Sequence, residues 1–236
     1  PDRLRICPWR RELLAGLLAN DLLAFQLERD RRNFVLAVEE ELGADVEADG
    51  ARIRFEGRSS TVVAVPIGVD YDRIQAVASD PALAVEQQRL VEMFELGHEG
   101  AIVGVGVDRL DYTKGIPQRL LTFEQLLERH PSLRGTVTLV QISAPSRTRV
   151  PEYIRERERV DQLVGRINGR FSEADWAPVH YLYRSYTQPE LARFYREADV
   201  CLVTPLRDGM NLVAMEFVAS QGPDPGVLVL SRFCGA

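Results

Sequence analysis

The sequence predicts an α/β fold built on a parallel sheet with helices on both faces. From residue 101 onward, short apolar runs typical of buried strands alternate with segments whose apolar residues recur at helical spacing. This alternation favours parallel pairing, because each helix carries the chain back across the sheet. Hydrophobic residues make up 45% of the 236 residues and charged residues 27%, so the chain can bury a core of real size.

The first hundred residues are less regular. Leucines at helical spacing follow Pro8, and Gly43 ends a second helical pattern. A polar, turn-rich stretch surrounds the segment ARIRFEG and favours a short hairpin there. The predicted elements are a helix at 10–24, a helix at 30–42, turns with a hairpin at 44–60, a strand at 61–68 and helical pieces around Pro81 at 70–96.

The remaining elements repeat one strand-helix unit. The charged helix at 151–167 is expected to end at Gly165 or Gly169. Ligands of such sheets bind outside the carboxyl ends of the strands, so the residues just after each strand are the candidates for function. The predicted strands are 101–107, 136–142, 179–183, 199–205 and 226–231, and the predicted helices are 117–129, 151–167, 188–197 and 210–220.

Composition excludes several classes of function. A net charge of -6 argues against a nucleic-acid or membrane-surface partner. The chain has no apolar run long enough to cross a membrane and no signal-peptide pattern, which predicts a cytoplasmic protein. Three scattered cysteines suit a reducing compartment. The three histidines lack metal-ligand spacing, so we expect no metal.

The segment VDRLDYTKG places Arg109 and Lys114 after the strand at 101–107. Two cations beside a glycine turn and a helix start suit a phosphate group. Lys114 is the single lysine among 28 arginines, and a compact ammonium at a tight phosphate contact can reject replacement by arginine. The G-x-G-x-x-G and Walker A patterns are not met here. The alternative is a solvated loop with a surface Asp–Arg pair.

The segment TPLRDGMNLVAMEF contains a strand end, a turn with Asp208 and Gly209, and a helix that starts near Met210. Free N–H groups at that start can hold a diphosphate. Asp208 can accept sugar hydroxyls, and Glu216 lies farther along the helix. The alternative is an Asp208 helix cap and a Glu216 that pairs with a core arginine. A third segment, SAPSRTR, places Arg147 after a strand, where it suits an anionic acceptor such as a phosphate.

These motifs, with PWRRELLAGLLANDLLAFQ, VPIGVD, GRINGRF and PGVLVLSRFCGA in the same order, resemble the trehalose-6-phosphate synthases, retaining glycosyltransferases of the two-lobed GT-B type. The resemblance covers nearly the whole chain. It implies transfer of glucose from UDP-glucose to glucose 6-phosphate, without a metal and with retention through same-face attack. The products are trehalose 6-phosphate and UDP.

The resemblance also implies roles for individual residues. Arg109 and Lys114 hold the donor diphosphate, and Asp208 binds hydroxyls of the transferred glucose. Glu216 binds the ribose, and Arg147 reaches the phosphate of the acceptor. The remaining donor-site positions are Tyr186, near the base, and the backbone of Gly209, Met210, Asn211 and Leu212.

We expect residues 1–95 to be the end of the acceptor lobe and residues 97–236 to be a Rossmann-like donor lobe without its final helices. The Gly-rich loop and most acceptor-binding positions of the family would precede Pro1, so we expect the chain alone to be inactive. Two alternatives stay open: a glucosylglycerol-phosphate synthase of the same family, and a non-catalytic nucleotide-sugar-binding module. The preference among UDP, GDP and ADP and the formation of a homo-oligomer are also open.

Overall fold

A computed structural model of the chain describes residues 2–81 and 100–236. Its contacts divide the chain into two compact units, Pro1–Ile67 and Gly68–Cys234. This division lies upstream of the boundary expected between residues 95 and 97. The assignment of the two parts to acceptor and donor lobes stays a prediction, and the helical piece expected after Pro81 lies outside the described residues.

The first unit packs helices against a four-stranded sheet. Its elements are α1 (Asp2–Arg5), α2 (Arg10–Leu17), β1 (Leu22–Phe25), α3 (Glu28–Leu42), β2 (Asp45–Val46), β3 (Arg52–Phe55) and β4 (Arg58–Ala64). The strand order is β1-β4-β3-β2, with β1 parallel to β4 and the other pairs antiparallel. Buried side chains that include Leu14, Phe34, Val38, Ile53 and Val62 form the core of this unit.

The helix predicted at 10–24 is wrong in its second half. Helix α2 ends at Leu17, and the chain enters β1 at Leu22. The Asn20 side chain donates to the Leu17 carbonyl at 2.9 Å, and the Ser60 hydroxyl donates to the Leu18 carbonyl at 2.9 Å. These bonds satisfy carbonyl groups that the end of the helix leaves open, so the helix stops although the leucine spacing continues.

The other predictions for this unit are confirmed, with shifted ends. Gly43 stops α3 in the left-handed conformation, with φ of 67°. The hairpin joins β3 to β4 through Glu56 and Gly57, both with positive φ, as a two-residue hairpin turn requires. Strand β4 begins before the predicted 61–68 segment because its first residues pair with β3 in this hairpin.

The second unit contains a five-stranded sheet in which every pair of neighbouring strands is parallel, which confirms the predicted fold class. The strand order is β7-β6-β5-β8-β9. The elements are α4 (Tyr71–Ala78), β5 (Ile102–Arg109), α5 (Ile116–Arg129), β6 (Val137–Ala144), α6 (Pro151–Phe171), β7 (Val179–Leu182), α7 (Gln188–Glu197), β8 (Val200–Val203), α8 (Leu212–Ser220) and β9 (Val227–Leu230).

Helices cover both faces of this sheet. Val105 and Val140 belong to a cluster that contains Phe217 of α8, whereas Leu139, the neighbour of Val140, belongs to a cluster that contains Leu120 of α5. Successive residues of a strand point to opposite faces, so two separate clusters are the expected result. The centre of the sheet is therefore buried on both sides.

Helix α6 does not end at Gly165 or Gly169, as the sequence predicted, but continues to Phe171. Ile167 is fully buried on the inner face of this helix, and the Asn168 side chain donates to the Val179 carbonyl of β7 at 2.9 Å. This packing outweighs the cost of about 1 kcal/mol for each helical glycine. Within the described ranges, the helices lack the combination of length and apolar character that a membrane crossing requires.

Candidate active site

The loop after β5 is held against the loop after β8. A 3-10 turn at Tyr112–Lys114 follows β5, and Gly115 continues it with φ of 68°. A Cβ at Gly115 would lie 2.7 Å from the Thr204 carbonyl oxygen, so this close approach requires glycine. The Leu206 N–H donates to the Thr113 carbonyl at 2.8 Å. The two predicted motifs therefore meet at the carboxyl ends of neighbouring strands.

Asp208 is fixed on every side within the loop after β8. Its N–H donates to the Phe233 carbonyl at 2.9 Å, and its Oδ1 accepts from the Gly209 N–H at 2.9 Å. The Asn211 side chain donates to Oδ2 of Asp208 at 3.1 Å, and its Oδ1 accepts from the Val213 N–H at 3.0 Å. Asn211 therefore caps α8, and the alternative in which Asp208 caps this helix is wrong.

Lys114 and Asp208 form an ion pair between the two loops. The Lys114 ammonium donates to Oδ2 of Asp208, and the two side chains are 14% and 19% exposed. Lys114 is therefore shielded and paired across the two loops, and the loop after β5 is not solvated at this residue. A lysine and a carboxylate, both largely shielded from water, thus lie beside the start of α8, with Met210 in the turn and Leu212 as the first helical residue.

Asp111 organises the loop after β5. Its Oδ1 accepts from the Thr113 N–H at 2.9 Å and from the Thr113 hydroxyl at 2.8 Å. Burial opposes ionisation, but these bonds, the Tyr153 hydroxyl and the positive charge of Arg109 outweigh it and lower the pKa of Asp111. Arg109, the last residue of β5, has an exposed side chain.

Arg147 is connected to the same loop through Tyr153. Arg147 lies between β6 and α6 with φ of 44°, an uncommon conformation for a residue other than glycine. Its Nη1 donates to the Tyr153 hydroxyl at 3.0 Å, and that hydroxyl donates to Oδ2 of Asp111 at 3.0 Å. The structure thus links the third predicted motif to the first.

Glu216 and Tyr186 lie in different surroundings. The Glu216 carboxylate accepts from the Tyr195 hydroxyl at 3.3 Å, and burial raises the pKa of Glu216. The partner of Glu216 is therefore Tyr195, and not the core arginine of the alternative considered from the sequence. The Tyr186 ring packs edge-on against Phe194 at 5.3 Å, with the Arg184 guanidinium 4.2 Å from its centroid. Among the described contacts, neither residue reaches Lys114 or Asp208.

A buried polar cluster beneath these loops was missed by sequence reasoning. Arg119 of α5 donates from Nη1 to Asp108 at 2.6 Å and to Gln141 at 2.8 Å, and from Nε to the Thr204 hydroxyl at 3.0 Å. The Arg119 and Asp108 side chains are each 2% exposed. Burial raises the pKa of Asp108, and the Arg119 guanidinium opposes that rise. Nη2 of Arg119 lacks a partner among the described protein atoms.

One sequence signal could have revealed this cluster. Arg119 falls on the apolar stripe of its helix, next to Ile116, Leu120 and Phe123 at helical spacing. An arginine at such a position must find polar partners when it is buried. With 28 arginines in the chain, this one did not stand out. In the described part of the chain, acidic, histidine and cysteine side chains do not gather into a group of three that could bind a metal ion.

Comparisons with known proteins extend over the full chain. The family model described as Glycosyltransferase family 20 matches residues 1–236. A bifunctional trehalose-6-phosphate synthase/phosphatase of Thermoproteus tenax is 45% identical, and the match covers 100% of this chain and 32% of that protein.

Two similar solved structures contain bound ligands. A UDP-forming alpha,alpha-trehalose-phosphate synthase of Burkholderia xenovorans, in complex with glucose-6-phosphate, is 40% identical with a TM-score of 0.92, and the match covers 99% of this chain and 51% of that one. An E. coli structure described as bound with UDP-2-fluoro glucose is 36% identical with a TM-score of 0.90, at 100% and 51% coverage. The chain thus spans between a third and about half of the length of these relatives.

Proposed function

The chain belongs to glycosyltransferase family 20, and we propose that in the complete protein it supplies the donor site for transfer of glucose from UDP-glucose to glucose 6-phosphate. The reaction retains the anomeric configuration and gives trehalose 6-phosphate and UDP. The family match confirms the resemblance inferred from the motifs, and the structural matches confirm the GT-B fold. The names of the relatives support the choice of substrates.

The observation that carries this proposal is the Lys114–Asp208 ion pair at the carboxyl ends of β5 and β8. Cleavage of the bond between glucose and UDP builds negative charge on the diphosphate. A fixed ammonium beside the N-terminus of α8 stabilises that charge without reorganisation of solvent. Asp208 lies one hydrogen bond from the ammonium, so the same site offers a carboxylate for the sugar hydroxyls.

The remaining roles are those that the family resemblance implies, and they belong to the same proposal. Arg109 and Lys114 hold the diphosphate, together with the backbone of residues 209–212. Glu216 accepts hydrogen bonds from the ribose hydroxyls, and Tyr186 contacts the base. These cations supply the positive charge that a metal would otherwise provide, so we propose a metal-free reaction. We place it in the cytoplasm, because the three cysteines are free thiols.

A thermal-shift titration of this chain with UDP, GDP and ADP tests the donor site. A ligand at a hundred times its Kd adds about 2.7 kcal/mol of stability. We expect UDP to raise the Tm of the wild-type chain and of Arg129→Ala, a variant of an exposed arginine away from both loops, but not of Lys114→Ala. A cooperative melt that no nucleotide shifts would contradict the assignment.

Transfer assays on the full-length protein test the reaction. We expect Lys114→Ala to remove most of the activity with UDP-glucose and glucose 6-phosphate because the developing charge loses its fixed cation. Residual activity within about threefold of wild type, a difference of well under 1 kcal/mol in the barrier, would disprove this role. Glycerol 3-phosphate as acceptor distinguishes the related glucosylglycerol-phosphate synthase.

A further inference from the structure

Tyr153 connects the loop of Arg147 with the loop of Lys114. Tyr153 lies at the start of α6, and the residue is 4% exposed. Its hydroxyl accepts from Nη1 of Arg147 at 3.0 Å and donates to Oδ2 of Asp111 at 3.0 Å. Both hydrogen-bonding functions of this hydroxyl are therefore used, one toward each loop.

We propose that Tyr153 is a positioning residue that holds the Arg147 guanidinium ready for the phosphate of the sugar acceptor and couples it to the loop of Lys114. This inference rests on the proposed function, in which Arg147 meets the acceptor. It adds Tyr153 and Asp111 to the acceptor side of the site.

Arg147 needs such support because of where it lies. Its side chain is exposed, and a long exposed arginine loses considerable rotational freedom when it binds a ligand. The Tyr153 ring lies 5.4 Å from the guanidinium carbon, and its hydroxyl fixes Nη1. A guanidinium has five N–H groups in one plane, so the bond to Tyr153 restricts its orientation and leaves other donors for a phosphate.

The backbone supports the same arrangement. The Val150 N–H donates to the Arg147 carbonyl at 2.9 Å, and the Tyr153 N–H donates to the Val150 carbonyl at 3.0 Å. The left-handed φ of 44° at Arg147 is thus part of the turn that begins α6. A non-glycine residue keeps such a conformation where its surroundings determine it, and functional sites are a common place for it.

Asp111 carries the connection to the donor side. Its Oδ2 accepts from Tyr153, while its Oδ1 accepts twice from Thr113, the residue before Lys114. The Tyr112 ring also meets the Tyr153 ring edge-on at 5.6 Å. One carboxylate therefore orients both the acceptor arginine and the turn that presents the donor lysine.

The test is steady-state kinetics of the full-length protein, with separate KM values for UDP-glucose and glucose 6-phosphate. Tyr153→Phe removes a hydrogen bond to the charged guanidinium of Arg147. We therefore expect this variant to raise the KM for glucose 6-phosphate about five- to twentyfold. The KM for UDP-glucose should stay within about twofold of wild type. Tyr183→Phe is the matched control, because that ring also lies under an arginine, with Arg157 4.2 Å from its centroid.

A double-mutant cycle separates positioning from general damage. In the Arg147→Ala background, Tyr153→Phe should have no further effect on the acceptor KM, because the group that it positions is gone. Asp111→Asn provides a second variant that keeps an oxygen for Thr113. It should raise the acceptor KM in the same direction as Tyr153→Phe.

Three results would overturn the inference: an acceptor KM within about twofold of wild type in Tyr153→Phe, equal changes in both KM values, or additive effects in the cycle. If the wild-type protein transfers no glucose to glucose 6-phosphate, the proposed function fails instead. Calorimetric binding of glucose 6-phosphate then decides the positioning role. Weaker binding by Tyr153→Phe than by Tyr183→Phe supports it, and equal or absent binding overturns it.

Discussion

One ion pair from each compact unit of this chain shows two different ways of placing charge. In the first unit, Glu28 pairs with Arg31 and Arg32 on the outside of α3, where the Glu28 side chain is 44% exposed. In the second unit, Asp108 and Arg119 pair beneath the strand ends with 2% exposure each. The first arrangement keeps a helix surface hydrated, whereas the second joins strands β5 and β6, the loop after β8 and helix α5 under the candidate site.

The physical costs of the two arrangements also differ. An exposed pair loses little hydration and contributes little stability, since water and salt screen it. A buried pair loses its hydration and is retained only with further hydrogen bonds, which Gln141 and Thr204 supply to Arg119. The buried pair is thus suited to fix the positions of the elements that it joins. The hydrogen bond from Arg119 to Thr204 also ties it to the loop that contains Asp208.

The largest effect is expected from breaking the buried pair. Arg119→Met leaves the Asp108 carboxylate without its cation, which should lower the free energy of unfolding by about 3–5 kcal/mol. Urea denaturation of the chain measures this change. Arg32→Met is the control from the first unit, because its side chain is 72% exposed. If both variants lower the free energy of unfolding equally, the buried pair is no more important for stability than the exposed pair.

The second prediction concerns the space that the buried cluster occupies. A Cβ at Gly106 would lie 2.5 Å from Nη1 of Arg119 and 2.7 Å from Oε1 of Gln141. Gly106→Ala should therefore destabilise the chain by about 1–3 kcal/mol. At Gly104, on the same strand, the nearest atom would lie at 3.6 Å.

Thermal melts of the two alanine variants measure the difference. Gly104→Ala should be the milder change, because its methyl group makes ordinary contacts. If Gly104→Ala lowers the Tm as much as Gly106→Ala does, the destabilisation comes from adding any side chain to β5. It would then not come from a clash with the arginine cluster.

The third prediction is an opposite pH dependence in the two units. Hydrogen bonds from Arg31 and Arg32 lower the pKa of Glu28 to about 2, so its stabilising contribution is present above its ordinary pKa of 4.5 and disappears as the pH falls toward 2. Burial raises the pKa of Glu216, so the folded state favours its protonated form. The contribution of Glu216 is therefore present below pH 4.5 and disappears as the pH rises through its raised pKa.

Denaturation at a series of pH values checks both signs. The free energy of unfolding of Glu28→Gln should approach that of wild type below pH 4.5. That of Glu216→Gln should rise relative to wild type above this pH. Carboxyl chemical shifts give the two pKa values directly. Titration of Glu216 at or below 4.5 would disprove the assigned burial effect.

The smallest effect is expected at neutral pH from Glu28→Gln. Although the pKa of Glu28 is strongly lowered, its exposed carboxylate is screened by solvent, so we expect only a small fall in Tm, much smaller than that of Arg119→Met. A thermal melt in low and in high salt measures it. A fall comparable to that of Arg119→Met would show that surface pairs hold the first unit together.

Local pattern was sufficient for most of the second unit. The five strands were predicted because each is an apolar run between turn signals. Strands of a parallel sheet are buried on both faces, so a continuous apolar run is their usual sequence pattern. The positions of Lys114 and Asp208 followed from the rule for strand ends. Local pattern failed at Leu22–Phe25, where leucine spacing fits a helix and pairing with β4 decides for a strand.

The sequence by itself thus determined the fold class, the family and the two loops that form the candidate site, because periodicity and motifs are properties of neighbouring residues. Tertiary structure alone decided which side chains became partners: Arg119 with Asp108, and Arg147 with Asp111 through Tyr153. These partners come from separate strands, loops and helices, and the parallel sheet brings them together at one edge. A hydrogen bond depends on distance in space, which a one-dimensional pattern does not encode.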